Sequence, residues 1–161
     1  MLRPVTPADH DAFLALCREF YHSPAVLAPI PDEHIENTFR ELFSPQPLAA
    51  AYLIFSDGSG KDDAGKGDAA QDEPAGYCLL ATAFSNEAGG RVQWLEELYI
   101  RPAFQGQGLG SEVFAYLDAH RPPDVRRFRL EVEPENEGAM RLYRRKGFRE
   151  LPYLQMVRDF D

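Results

Sequence analysis

The chain predicts an α+β domain, a central mixed, largely antiparallel sheet flanked by helices. Three observations predict it. Apolar residues recur with period 2 in some stretches and period 3.6 in others, in the order strand, two helices, three strands, helix, strand, helix, strand. That order mixes hairpins, which pair antiparallel, with a crossover unit, which pairs parallel. The length of 161 residues fits one domain, against about 100–200 residues per domain.

The elements follow in turn. Leu2 to Val5 is a short strand that Pro4 confines to a sheet edge. Thr6-Pro7-Ala8-Asp9 opens a helix, with Thr6 to cap, Pro7 at the first helical position and Asp9 where a capping-box carboxylate belongs. Phe13, Leu16, Cys17, Phe20 and Tyr21 form its apolar stripe. After Pro24, Pro29 and Pro31, a second helix starts near Asp32, carries Ile35, Phe39 and Leu42, and ends before Ser44-Pro45. Leu48 to Phe55 and Ala75 to Phe84 read as strands. Between them, residues 57–74 lack aromatics and any apolar period, so the composition predicts a floppy hairpin insertion within a single domain spanning 1–161. Val92 to Ile100 is the next strand, and Leu109, Val113, Phe114 and Leu117 mark a helix closed by Pro122-Pro123. Phe128 to Val132 is a strand, Asn136 to Lys146 a helix, and Tyr153 to Val157 a final strand.

Composition narrows the function. Hydrophobic residues make up 44% and charged residues 27%, an ordinary globular mixture. A formal net charge of -9, from 26 acidic and 17 basic side chains, repels a phosphate backbone, so nucleic acid is not the expected partner. The two cysteines, Cys17 and Cys78, form no close pair and sit in apolar runs, which fits reduced core thiols. His10, His22, His34 and His120 show no metal-ligand spacing. The N-terminus lacks a basic region followed by an apolar stretch, and no run of about 18 apolar residues exists, so neither membrane nor export is expected and a cytoplasmic location is.

Gln105-Gly106-Gln107-Gly108-Leu109-Gly110 lies between a strand and an amphipathic helix. Its alternating glycines let the backbone approach a ligand and take conformations closed to other residues. The helix start adds unpaired N–H groups and the positive end of its dipole, which together suit a pyrophosphate. No Gly-Lys-Ser/Thr is present, so this is not a P-loop, and the spacing is not that of a dinucleotide fingerprint.

Trp94 to Pro102, followed by Gln105 to Gly110, resembles motif A of the GNAT superfamily of N-acetyltransferases, a strand, then Arg/Gln-x-x-Gly-x-Gly/Ala, then a helix. Glu133-Pro134-Glu135-Asn136, Ala139, Leu142, Tyr143, Gly147 and Phe148 resemble its motif B. The two motifs stand in the family's order with a strand between them. The run Leu95-Glu96-Glu97 is similar to the diamine and polyamine acetyltransferase branch. One departure is Gln105, where arginine is common; Arg101, Arg144 or Lys146 are candidates to supply charge to the cofactor phosphates.

The resemblance implies a GNAT-like fold over nearly the whole chain and direct attack of an amine on acetyl-coenzyme A in a ternary complex, with no metal. It implies that Leu98, Tyr99 and Ile100 pair by backbone with the pantetheine arm, and that a backbone N–H near Ile100 polarises the thioester carbonyl. It implies a pyrophosphate held by Gln105, Gly106, Gln107, Gly108, Leu109, Gly110 and Ser111. Asn136 is expected to bond the pantetheine and equally to cap its helix. Tyr143 is the expected general acid that protonates the departing thiolate. A primary amine has a pKa near about 10 and must lose a proton, for which Glu96 and Glu97 are the candidates, Glu96 favoured. Their side chains alternate along a regular strand, and a bulge would change which one faces the cleft. Tyr21 and His22 border the acceptor side. The expected partner is a small-molecule amine, and a homodimer is a common family assembly. A non-catalytic acyl-coenzyme A sensor and a protein lysine or N-terminal acetyltransferase are the competing readings.

Overall fold

The computed structural model describes residues 1–56 and 73–160, so the insertion expected at 57–74 lies outside the described residues except for Glu73 and Pro74. Among the described residues, five strands form one sheet in sequence order: β1 (Leu2–Pro4), β2 (Ala49–Ile54), β3 (Gly76–Ser85), β4 (Gly90–Ile100) and β5 (Val125–Leu130). Neighbours are antiparallel except β4 and β5, which run parallel through a crossover helix. Helices α1 (His10–Tyr21) and α2 (Asp32–Glu41) cover one face; α3 (Leu109–Ala119) and α4 (Glu137–Arg145) lie on the other. The expected mixed, largely antiparallel sheet with flanking helices is therefore observed.

Each face has its own core. Phe13, Leu16, Cys17 and Phe20 of α1 meet Ile35 and Phe39 of α2 over Leu53, Tyr77 and Leu79. On the other side Leu109, Val113, Phe114 and Leu117 of α3 pack on Ile54, Cys78, Leu80 and Leu95. Alternation along β3 explains the division, since Tyr77 and Leu79 point one way and Cys78 and Leu80 the other. The two thiols are buried, free and on opposite faces; burial pushes both up to about 12.

The opening turn forms around Asp9, whose carboxylate accepts from the Thr6 N–H at 2.7 Å and the Thr6 hydroxyl at 2.6 Å. Two Arg3 nitrogens donate to the same group at 2.8 Å each. Pro7–Asp9 is a 3-10 turn leading into α1, so the α-helix begins slightly later than the capping motif alone predicts.

Two expectations need correction. β5 begins at Val125 and ends at Leu130, earlier than the 128–132 expected, because Val125 is buried against Arg91 of β4 and the chain leaves the sheet where β4 turns away. The final strand expected at Tyr153–Val157 does not form. A strand exists only when a neighbour takes its backbone groups, and this segment pairs with none of the described strands. Its apolar side chains stand in solvent, Leu154 at 89% and Met156 at 90% exposure.

Two outcomes test this fold. A Cβ at Gly76 would overlap the Tyr99 carbonyl oxygen across the β3–β4 ladder. Gly76→Ala should therefore lower the unfolding free energy by about 1–3 kcal/mol in urea titration. The Arg3 guanidinium holds the Asp9 carboxyl well below the usual carboxylate range. Its stabilisation is full above the ordinary carboxylate pKa and fades as pH falls below it, so Asp9→Asn should flatten the acid limb of a stability–pH curve.

Candidate active site

The site begins with one extra residue in β4. Along β3, Leu79 pairs with Glu97 but the next residue, Leu80, pairs with Leu95, so Glu96 is bulged out without a partner. The bulge breaks the side-chain alternation. Leu95, Leu98 and Ile100 all face α3, whereas Glu97 and Tyr99 face α1. Pairing of β4 with β5 stops at Leu95 and Leu130, so residues 96–100 diverge from β5 and leave an open wedge between parallel strands.

Backbone groups face that wedge at alternate residues. The Arg101 N–H donates to the Ala75 carbonyl at 2.9 Å, which directs the peptides of Tyr99 and Glu97 toward β3 as well. Leu98 and Ile100 consequently present theirs to the open side. Of the three residues expected to meet a cofactor by backbone, Tyr99 is thus paired within the sheet. The Gln105 amide spans the wedge's lower end by donating to the Ile100 carbonyl at 2.8 Å.

The glycine turn follows directly. Gly106 has φ +75 and Gly108 φ +89, and Gly108 is the N-cap of α3. Glycine meets this left-handed requirement without strain. Ser111 and Glu112 N–H groups close onto the Gly108 carbonyl at 2.8 and 3.2 Å. The five N–H groups from Gly106 to Gly110 donate to no described protein atom. Together with the α3 dipole they form a concave donor array for an anion. The Leu109 side chain is buried in the core, which anchors the turn, and the Gln107 amide donates to the Ala103 carbonyl at 3.2 Å. The side chains of Gln105 and Gln107 are thus engaged within the turn itself.

α4 brings Tyr143 to the same cluster as Leu98 and Ile100. Asn136 caps it, its side-chain oxygen accepting the Ala139 N–H at 3.1 Å. At the other end Gly147, φ +85, closes a Schellman motif: Gly147 N–H bonds the Arg144 carbonyl at 3.1 Å and Phe148 N–H the Tyr143 carbonyl at 3.0 Å. Tyr143 also packs against the Phe114 ring at 5.7 Å and the Phe148 ring at 6.0 Å. The Gly-Phe pair after Leu142-Tyr143 therefore has a physical purpose, to stop the helix and wedge the phenol. Burial raises the Tyr143 pKa, and its hydroxyl bonds no described residue. Leu142 and Ile100 both approach Gly110, so α4, β4 and the glycine turn converge on one point. A cavity of about 610 Å³ runs outside β5, lined by Leu130, Glu131, Met140, Tyr143, Phe148 and Tyr153 among others.

The two glutamates have different surroundings. Glu96 is exposed; burial first, then the charges of Glu131 and Glu97, raise its pKa. Glu97 is tucked under the bulge, accepting the Tyr21 hydroxyl on Oε1 and the Tyr77 hydroxyl on Oε2, each at 2.5 Å. Burial raises the Glu97 pKa while the two phenols oppose that rise. The sequence reading missed Tyr77; a lone phenol on the inward face of a central strand is the signal, since a buried hydroxyl needs a partner. Arg101 is not free for a ligand. Its guanidinium grips Glu19 with two bonds of 2.8 Å and also bonds Glu73 and the Pro74 carbonyl. Arg144 pairs with Glu150 at 2.8 Å. Among the described residues no three His, Cys, Asp or Glu side chains gather as a metal site, and no helix is long and apolar enough to cross a membrane.

The residues that build the splayed strand pair and the glycine turn fall within residues 30–148, which match the model of the acetyltransferase (GNAT) family. The chain belongs to the GNAT acetyltransferase family. Thialysine N-epsilon-acetyltransferase of Sus scrofa is 31% identical over 85 residues, 49% of each chain. This GNAT chain spans about half the length of the curated relatives it matches. Its fold is shared with a possible acetyltransferase from Clostridium difficile 630, at TM-score 0.77 and 13% identity over 100% of this chain and 97% of that one. It is shared equally with AAC(6')-Iy in complex with a bisubstrate analogue, at TM-score 0.74 and 14% identity, covering 100% and 98%.

Proposed function

We propose that this GNAT chain is an acetyl-coenzyme A-dependent N-acetyltransferase that acts on a primary amine of a small molecule, of the diamine or polyamine kind. One observation carries the reading: five unclaimed N–H groups from Gly106 to Gly110 stand at the mouth of a wedge bordered by the peptide groups of Leu98 and the N–H of Ile100. The donor array suits a diphosphate and the strand edge suits an amide-bearing arm. Bound acetyl-coenzyme A supplies an activated thioester. Asn136 caps α4 through its oxygen and donates its amide nitrogen to no described residue.

The residues then divide the proton transfers. Glu96, raised above the ordinary carboxylate range yet exposed, accepts the proton that the ammonium must lose. Tyr143, kept protonated by burial, donates to the departing thiolate. An N–H of Leu98 or Ile100 takes the charge that develops on the carbonyl oxygen. The relative named for thialysine N-epsilon acetylation supports a small amine as acceptor, and a net charge of -9 favours a cationic one. The same charge argues against nucleic acid as partner. Free, buried thiols fit a reducing cytoplasm, and a homodimer remains part of the proposal on family grounds alone.

Calorimetry with coenzyme A and a thiol-release assay over a panel of diamines, polyamines and peptides test this reading. Saturable binding and turnover on small amines are expected. Tyr143→Phe should lower kcat on the order of 10² with little change in KM for acetyl-coenzyme A. Because the Glu96 pKa is raised, kcat/KM should fall as pH drops through a value above the usual carboxylate range. Binding without turnover on any amine would identify a sensor instead, and no binding at all would refute both.

A further inference from the structure

Glu97 has no step in the proposed reaction, yet its carboxylate is fully engaged beside the wedge. Both of its oxygens are taken by phenols from two other elements, Tyr21 at the end of α1 and Tyr77 in β3. Tyr77 is fully buried, touches the Phe13 and Phe20 rings at 5.6 and 6.2 Å, and its hydroxyl also meets the Cys17 thiol. Both phenols donate to Glu97 and favour its ionised form, while burial opposes it. Its side chain faces α1 and is engaged there, on the other face of the strand from Leu98 and Ile100.

Its place in the strand gives it another task. Glu97 follows the bulged residue immediately, and a bulge in a long ladder has an obvious way to relax. Moving the extra residue along the strand by one position would pair Glu96 with Leu79 and turn it toward α1, leaving Glu97 as the bulged residue while Leu98 stays opposite Cys78. That move would withdraw Glu96 from the wedge and pull the Glu97 carboxylate away from both phenols. The two phenols oppose it at a single point.

We propose that Tyr21, Glu97 and Tyr77 form a positioning clamp that pins the β4 bulge, so that Glu96 is held in the wedge. The clamp also ties this placement to α1 through Tyr21, giving the acceptor side of the molecule a direct mechanical link to the reacting edge. Tyr21 and Tyr77 are positioning residues, acting through Glu97. The kinetic part of the test rests on the acetyltransferase reading; the structural part does not.

The variants Tyr21→Phe, Tyr77→Phe, Glu97→Ala and Glu97→Gln separate the possibilities. Amide hydrogen exchange at Glu97 and Tyr99, whose N–H groups pair with β3, reports the register without turnover. It should accelerate about tenfold in Tyr77→Phe and Glu97→Ala while the β2–β3 ladder stays protected. Glutamine can accept from one phenol and donate to the other, so Glu97→Gln should restore slow exchange.

With an amine substrate, Tyr77→Phe and Glu97→Ala should lower kcat about tenfold, with KM for acetyl-coenzyme A unchanged within about twofold. The pH profile adds a readout that simple loss of packing would not move. Glu97 faces Tyr21, Tyr77, Cys17 and Glu96, and Glu96 faces Glu131, Glu97 and Tyr21. Neither phenol bonds Glu96, so its acid limb should stay in place in Tyr21→Phe and Tyr77→Phe. Removing the charge of Glu97 eases ionisation of Glu96, so the limb should move to lower pH in Glu97→Gln.

Tyr21→Phe, at a partly exposed position, provides the same tests should Tyr77→Phe fail to fold. Unchanged exchange at Glu97 and Tyr99 in Glu97→Ala and Tyr21→Phe would overturn the clamp. So would shifts of the acid limb in the same direction for the phenylalanine and glutamine variants. A wild-type chain with no turnover would refute the catalytic reading alone, and the exchange result would still decide the clamp.

Discussion

A strand that carries one residue more than its neighbour cannot keep regular pairing on both sides. In this chain the extra residue is Glu96, and β4 keeps its ladder with β3 on either side of it while losing β5 beyond Leu95. The cost is a set of unpaired backbone groups, those of Leu98 and the N–H of Ile100, within a fold whose backbone groups are ordinarily satisfied. The proposed ligand offers what those peptides lack. Everything distinctive about the site follows from that arrangement, including the wedge, the exposed glutamate where it begins and the glycine turn at its mouth.

The surrounding structure keeps the wedge from closing. On one side α3 and α4 fill the space below with Leu109, Phe114, Leu142 and Phe148, and the Schellman closure at Gly147 holds Tyr143 against that cluster. On the other side the Tyr21–Glu97–Tyr77 bridge and the Arg101–Glu19 pair attach the end of β4 to α1. Both faces of one strand are thus fixed by different helices. This makes the strand's geometry a property of the whole domain rather than of its own sequence.

Much of this was legible from residue order. The glycines at 106 and 108 could be assigned because left-handed backbone admits few other residues, and both show positive φ. The crossover between β4 and β5 followed from the helix between them. Asn136 capped its helix as that residue type should. What could not be read depends on contacts between distant parts of the chain. Whether Glu96 or Glu97 faced the cleft turned on a bulge whose position is set by β3, a different strand. Arg101 looked like a free cation near the phosphates until Glu19, on α1, was found to hold it. The strand expected at Tyr153–Val157 has the right alternation, but alternation supplies no partner, and the segment stays unpaired.

Backbone amide chemical shifts during titration with coenzyme A measure the central claim most directly. The wedge and donor array predict that the N–H resonances of Gly106 to Gly110, together with Leu98 and Ile100, move most and in a saturable manner. Glu97 and Tyr99, paired with β3, should move less. A titration in which the ligand binds yet perturbs another surface, leaving these seven amides where they were, would contradict the account.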